Sequence, residues 1–483
     1  MTVTATLEGR GSMRIPRSFL GFSMEYPDAP FKTGNTIVGL NPVFTGLVEN
    51  LTASGSGPPV LRLGGGFSDQ AWWNPTGRPR PFGVTTDLAP AFTDAIGAFA
   101  SLTGMPLILG LNFVQRDPSI AAEVAREFMA RLPNGSIRAF EIGNEPDIYG
   151  RRSIGRDSSG RTVTARPRNY DVDDYMTEVR PFLRELGSLD PRPPLAGPVA
   201  SCDDEWCPAL PAILRRYGRH LSEVTYHWYP LHSCNKRPGS RAYPTIRQLL
   251  GPEGISRIQA MRRAVQDAKR HRLGVRITET NSAACGGAFD VSNVFASSLW
   301  GADWLFHLAA IGTTGVDFHS SGIIYSPFAT AYSNGEWIGA ANPLYYGMLL
   351  FSRATADRAR LLVNTTLGTR LSRPANMRVW ATITRRKTAR IVVLNKDTRR
   401  AARARIEIPR SRRSGDLIRL SAPRINSRRV TLAGQRVMEP TRDGHLVGRE
   451  RSRRVKPRRG IYRFVVPAGS AAMLTVERVP RRR

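Results

Sequence analysis

Long apolar runs are missing from this 483-residue chain. None reaches the roughly 18 to 20 residues that a membrane-spanning helix needs, so no membrane span is expected. Residues Met1–Arg10 lack the basic opening and apolar core of a secretory signal, and Val3–Leu7 looks like a short strand. Taken as it stands the sequence reads as cytoplasmic; a leader removed ahead of it would leave the same residues on a secreted protein. Cysteines are few: Cys202, Cys207, Cys234 and Cys285 suit one or two disulfides, and their spacing forms no zinc pattern. His227, His232 and Cys234 lie close together, but no fourth metal ligand accompanies them. Acidic residues are scarce too, 39 against 70 Lys and Arg, leaving a net charge of +31. Such a surface attracts polyanions; equally, Arg is here simply the favoured solvated residue. No specific nucleic-acid partner follows. The glycine run Gly64–Gly66 lacks the Lys-Ser/Thr of a phosphate loop and the spacing of a dinucleotide fingerprint, so no cofactor is implied.

What is present is an alternation. Between Phe19 and Arg353, short apolar runs (Phe19–Met24, Val60–Leu63, Pro106–Leu111, Ile137–Ile142, Leu195–Gly197, Val224–Trp228, Val275–Thr278, Val316–His319) read as strands. Pro42–Leu51, Thr86–Leu102, Ile120–Arg131, Val172–Leu186, Trp206–Tyr217, Ile255–Lys269 and Asn293–Ile311 read as helices, with an eighth near Pro343–Phe351. Continuous apolar strands separated by helices indicate a parallel sheet covered on both faces, and eight such units predict an α/β chain with a (β/α)₈ TIM barrel over residues 18–353. Tyr149–Asn169, rich in Arg, Ser and Gly, reads as a long mobile loop after strand four. Residues 354–483 change character: short alternating stretches between turn residues predict an antiparallel β-sandwich, which residues 1–17 join as one strand. The Arg-rich stretches Gly448–Arg459 and Arg481–Arg483 read as exposed loops or ends.

Two strand ends carry carboxyls. Phe140–Pro146 runs Phe-Glu-Ile-Gly-Asn-Glu-Pro, an apolar strand delivering Asn144 and Glu145 where barrel active sites collect. Val275–Ser282 delivers Glu279 in the same way from strand seven. Paired carboxyls about 5 to 5.5 Å apart suit retaining glycoside cleavage, and about 6.5 to 9.5 Å inversion. Repulsion between them raises one pKa, so that one group stays protonated as the acid while the other attacks.

Asn144-Glu145 with Glu279 resembles the clan A glycoside hydrolases. Phe19–Glu25 (Phe-Leu-Gly-Phe-Ser-Met-Glu), Leu61–Asp69 (Leu-Arg-Leu-Gly-Gly-Gly-Phe-Ser-Asp) and Glu279–Ser282 with Gly286-Gly287 narrow this to a resemblance to glycoside hydrolase family 79, the β-glucuronidase and heparanase-like group. Val392–Asp397 and Val466–Ala472 resemble its sandwich strands. The resemblance implies that Glu145 is the acid/base and Glu279 the nucleophile. It implies that Asn144 bonds the sugar 2-hydroxyl, that Glu25 and Asp69 grip the far hydroxyls, and that Tyr229 donates to the nucleophile. It also implies that Tyr325 and the main-chain N–H groups around Cys285 and Gly286 bind a sugar carboxylate. Family members often carry Tyr-Gly where this chain has Ala284-Cys285, which sets the acidic sugar apart from the cleavage chemistry as a separate question. Cys234 and Cys285 fall on neighbouring loops and can bridge, leaving Cys202–Cys207 as a local bridge; such bridges favour a secreted setting.

The expected function is a retaining exo-β-glycosidase, a β-glucuronidase hydrolysing terminal β-linked glucuronic acid without cofactor or metal, with a uronic-acid-containing glycoside as partner. The alternatives are endo-acting heparanase-like cleavage of acidic polysaccharide, a neutral-sugar β-glucosidase, and a non-catalytic polyanion-binding protein. The oligomeric state is not legible.

Overall fold

The computed structural model describes residues 2–7, 12–234, 236–322, 324–363, 367–371 (backbone only) and 376–479. The Arg481–Arg483 tail, expected as an exposed end, lies outside the described residues. Strands one to eight, Leu20–Glu25, Val60–Gly64, Leu107–Leu111, Ile137–Ile142, Leu195–Ser201, Leu221–Trp228, Val275–Thr280 and Gly315–His319, close into a parallel barrel. Strand eight returns to strand one with Val316 opposite Leu20. Strands two, three and eight are buried at every position, because inward side chains fill the barrel while outward ones meet helices.

Local chemistry sets the helix starts. Asn41 accepts from the N–H groups of Val43 and Phe44 ahead of helix Pro42–Thr52, and Asp171 forms a capping box with Asp174 ahead of Val172–Gly187. The helix expected over Thr86–Leu102 is shorter. Thr86–Leu88 pairs with Ala71–Trp73, and the helix runs Pro90–Thr103. Pro90 supplies the first turn and holds Ala89 extended, which a reading by apolar period alone passes over.

The barrel base is closed by a buried ion pair. Arg276 Nε of strand seven lies 2.8 Å from Asp317 Oδ2 of strand eight, with neither side chain exposed. Arg276 also donates to the Ser18 carbonyl at 3.1 Å. Room for the pair comes from two glycines: a Cβ on Gly21 would lie 1.7 Å from Asp317 Oδ1, and one on Gly315 1.8 Å from Arg276 Nη1.

After Ala354 the chain builds two sheets. Thr2–Leu7, Leu367–Leu371, Ala402–Glu407 and Ile461–Val466 form a four-stranded sheet. Ser12–Arg14, Arg360–Leu362, Met377–Ile383, Ala389–Asn395, Ser470–Val476, Gly415–Ser421 and Thr431–Leu432 form the larger one, with Arg453–Val455 added beside Gly415–Ser421. Gly448–Arg459, expected as an exposed loop, is largely exposed, but Arg453–Val455 within it pairs as a strand. Pairing is antiparallel except that Thr2–Leu7 runs parallel to Ala402–Glu407, which the alternating pattern could not specify. Val3, Ala5, Ile406 and Phe464 meet Ile391, Val393 and Leu474 in a second apolar core.

The opposite face of the larger sheet packs on the barrel through Trp380, Val392, Leu394 and Met473. This explains why helix Phe295–Ile311 lacks a polar stripe: it is covered on nearly all sides. Its Asp303 receives Lys396 Nζ at 2.6 Å and Trp380 Nε1 at 3.0 Å. Burial opposes the Asp303 charge, but Lys396 outweighs it and holds the carboxyl at about 2.

Candidate active site

Strand four ends at Ile142, so Glu145 is not its last residue. Gly143 and Glu145 both have positive φ (77° and 54°), and Pro146 opens a short 3₁₀ turn. This left-handed step turns the Glu145 side chain across the mouth, anchored by its N–H on the Val199 carbonyl at 2.9 Å. Glu279 sits within strand seven, whose six residues are all buried. One oxygen of each carboxyl and a ring nitrogen of His227 lie within 4.8 Å of one another.

His227 stands between the two carboxyls. Its Nδ1 is 3.1 Å from Glu145 Oε1 and 3.9 Å from Glu279 Oε2. Burial disfavours the imidazolium, yet Glu279 and the hydrogen bond to Glu145 raise its pKa. In sequence His227 stands out only as a candidate metal ligand beside His232 and Cys234, and Cys234 is consumed in a disulfide. Glu145, His227 and Glu279 are close enough to hold a metal ion, but Glu279 Oε2 already receives Arg62, and a cation there would have to displace that ion pair.

Arg62 is the second residue that sequence reasoning passed over. It rises from strand two at 1% exposure and makes four bonds: to Glu141 Oε2 (2.6 Å), Ser23 Oγ (3.0 Å), Glu279 Oε2 (2.8 Å) and Asn144 Oδ1 (2.8 Å). One guanidinium therefore fixes both strand ends. The other Glu279 oxygen accepts from Tyr229 Oη at 2.7 Å, the contact expected of Tyr229. Burial alone would raise the Glu279 pKa, but His319, His227, Arg62 and the Tyr229 hydroxyl outweigh it and hold the carboxyl well below the usual range. Burial and the Glu279 charge raise the Tyr229 phenol well above its ordinary value, so it remains a donor. Asp147, two residues past Glu145, is half-buried; desolvation and the Glu145 charge push its carboxyl up.

Glu25 closes strand one, with its carboxylate taking the N–H groups of Gly66 (3.2 Å) and Phe67 (2.8 Å). Gly65 makes this approach possible, since a Cβ there would lie 2.4 Å from the Glu25 oxygens and its φ is +53°. His319 Nε2 lies 3.8 Å away. Burial raises the Glu25 pKa, partly offset by His319.

Asp69, expected to grip a sugar hydroxyl, is buried behind Asn144. It is 1% exposed, with Oδ2 accepting from Tyr149 Oη (2.8 Å) and Asn144 N (3.2 Å) and Oδ1 from Phe113 N (3.1 Å). Both oxygens accept from protein donors, and through the Asn144 N–H the carboxylate braces Asn144 from behind. Arg152 completes this brace, donating to the carbonyls of Asn144 (3.0 Å) and Gly66.

The segment expected as a mobile loop is folded as a hairpin, Ser153–Arg156 against Thr162–Thr164. Arg166 pins its root: at 2% exposure it donates to the Phe113 and Val114 carbonyls and lies 5.3 to 5.7 Å from the rings of Phe113, Tyr149 and Tyr170. Few apolar residues mark this hairpin because arginines hold it.

On the far rim, Tyr325 is buried, with its ring 6.3 Å from Tyr229 and 5.8 Å from His319. Ala283-Ala284 pairs with Leu231-His232, and the Cys234–Cys285 bridge (Cα–Cα 6.0 Å) ties the two loops. Cys202 and Cys207 form the second bridge. Cys285, Gly286 and Gly287 all have positive φ (62°, 81°, 93°), and their N–H groups donate to no main-chain acceptor among the described residues. Consecutive N–H groups in such a turn form an anion-binding concavity.

No protein-family model matches the chain. It is 23% identical over 381 residues to a β-glucuronidase of Aspergillus niger, covering 71% of this chain and 66% of that protein. It is 23% identical over 358 residues to a β-glucuronidase of Neurospora crassa, covering 68% and 62%. The chain thus spans just under two thirds of the length of these relatives. Among solved structures it is similar to a 4-O-α-L-rhamnosyl-β-D-glucuronidase from Fusarium oxysporum 12S in complex with Rha-GlcA, with a TM-score of 0.78, 17% identity, and 99% and 100% of the two chains covered. It is also similar to a GH51 arabinofuranosidase from Xanthomonas axonopodis pv. citri, with a TM-score of 0.67, 14% identity, and 98% and 99% covered. These likenesses establish the fold as that of a (β/α)₈ barrel with an appended β region.

Proposed function

We propose that the chain is a glycoside hydrolase, a retaining exo-β-glycosidase of β-glucuronidase type akin to family 79. The observation that carries this reading is the approach of Glu145 and Glu279 across the barrel mouth, one oxygen of each lying within 4.8 Å of the other, a closeness that suits a retaining pair. Glu279, kept ionised, attacks the anomeric carbon while Glu145 protonates the leaving oxygen. Glu145 then takes the proton of the water that releases the sugar. Arg62 and Tyr229 aim the nucleophile, and Arg62 fixes the Asn144 side chain beside it. His227 shares a proton with Glu145.

For the sugar, the names of the Aspergillus and Neurospora relatives favour a glucuronide. The anion-binding turn at Cys285–Gly287, beside Tyr325, is the feature of this chain that suits a carboxylate. Residues 18–353 serve as the catalytic unit and 354–483 with 1–17 as an accessory β-sandwich. The two bridges support an extracellular setting.

Hydrolysis of aryl β-glucuronide, β-glucoside and β-galactoside, with NMR of the first-formed sugar, tests this reading. The glucuronide is expected to be cleaved at least about tenfold faster, releasing the β-anomer, and Glu279→Gln to lower kcat by about 10⁴. A first-formed α-anomer would refute retention, and equal rates on the neutral sugars would refute the glucuronide.

A further inference from the structure

The positive charge of this chain is not spread over it. Residues 354–483 hold 35 Lys and Arg against 8 Asp and Glu, a balance of +27, whereas residues 1–353 hold 35 against 31, a balance of +4. The excess belongs to the two-sheet unit.

Within that unit the arginines are placed in register. Ala402–Glu407 and Ile461–Val466 alternate buried and solvent-facing residues, and both outward rows carry arginine. Arg405 lies directly opposite Arg463, and Arg403 opposite Val465. Like charges directly opposite on a sheet repel, so in isolation this pairing destabilises the strands. One acid, Glu407, stands on these two strands, 3.5 Å from Arg405. The second sheet adds to the same edge. Arg419 Nη2 donates to the Val465 carbonyl at 2.9 Å, while its Nη1 is buried without a hydrogen-bond partner. Arg453 lies close enough to depress the Arg419 pKa further, after burial.

Aromatic residues set the partner's chemistry by their placement. The aromatic side chains of residues 354–483 are Trp380, Tyr462 and Phe464, and all three are buried. No ring is available on this face to stack on a nucleobase, so single-stranded nucleic acid finds no platform. Recognition here rests on charge alone.

We propose that the outward face of Ala402–Glu407 and Ile461–Val466, with Arg419 and Arg453 at its edge, is a docking surface for a linear polysaccharide bearing carboxylates or sulfates. The choice of polysaccharide over other polyanions rests on the glucuronidase reading of the barrel. The charge surface itself does not. Docking there holds an acidic chain to the protein while its end is presented elsewhere, and counterion release makes the attachment salt-sensitive.

The test uses the full chain carrying Glu279→Gln, so that cleavage does not deplete the ligand, with polygalacturonate and heparin as probes and neutral dextran as control. Adding Arg403→Ser, Arg405→Ser and Arg463→Ser is expected to weaken polyanion binding at least about tenfold and to flatten its dependence on log salt by roughly two to three units. The matching Lys replacements should restore most of the affinity. Removing the same charge from the barrel surface, by Arg126→Ser, Arg180→Ser and Arg184→Ser, should leave it unchanged. Unaltered binding in the sheet variant, equal loss in the barrel variant, or tighter binding of duplex DNA or anionic phospholipid vesicles at the same salt would overturn the proposal. In the background with Glu279 intact, the sheet variant should hydrolyse aryl glucuronide within twofold of the parent. Absence of that hydrolysis in the parent would count against the glucuronidase reading and leave the binding result standing.

Discussion

Arg62 and Arg276 lie buried at opposite ends of the barrel, and the two are used in opposite ways. At the base, Arg276 and Asp317 satisfy each other at zero exposure, with glycines cut away to admit them. At the mouth, Arg62 divides itself among Glu141, Glu279, Asn144 and Ser23, so that no acceptor has it alone. A closed pair fixes two strands. A shared guanidinium fixes a geometry among three strand ends and holds a negative charge on a carboxyl that faces the cleft. The same residue type thus serves stability at one end and readiness for chemistry at the other.

The comparison can be broken by removing each arginine. Arg62→Met strands two buried carboxylates and is expected to lower kcat by about 10³ and stability by about 3–5 kcal/mol, read by glucuronide turnover and urea unfolding. Arg276→Met should cost a similar ~3–5 kcal/mol yet leave kcat/KM of the folded protein within twofold, and Arg276→Met with Asp317→Leu should regain most of the loss. If Arg276→Met silences turnover in fully folded protein, the division between the two ends fails.

A smaller effect sharpens it. Tyr229→Phe deletes one donor to Glu279, whose pKa is held below the ordinary carboxylate value. Without that donor the pKa rises, so the acid limb of the kcat–pH profile should move up by as much as about one unit, with roughly tenfold lower kcat. The stability that Glu279 ionisation contributes is present above the unfolded carboxyl pKa and lost as pH falls through the folded one. Tyr229→Phe should therefore narrow the acid side of the unfolding curve as well.

The eight strands were legible because a strand buried on both faces leaves a continuous apolar run, and Glu145 and Glu279 because each follows such a run. Arg62 was not legible as a hub. Its acceptors Glu141 and Glu279 stand 79 and 217 positions away, and nothing local marks an arginine inside a strand as shared. His227 was hidden for the same reason, its value lying in 3.1 Å to a residue 82 positions distant. The Ser153–Thr164 hairpin escaped because arginine contacts at its root replace the apolar alternation that marks a strand pair. Asp69 was legible as a carboxyl but not in its direction, since burial follows from the packing of Tyr149 and Arg152 around it.

The seat of Glu25 constrains how such a protein can diversify. Its carboxylate is held by the main chain of Gly66 and Phe67, and Gly65 admits no side chain beside it. That wall of the cleft is therefore closed to point substitution. The opposite rim at Ala283–Gly287 is held by strand pairing and by the Cys234–Cys285 disulfide, and within that frame the side chain at Ala284 is free to be exchanged. Descendants of this scaffold would change sugars by editing the rim and would inherit the Glu25 wall intact.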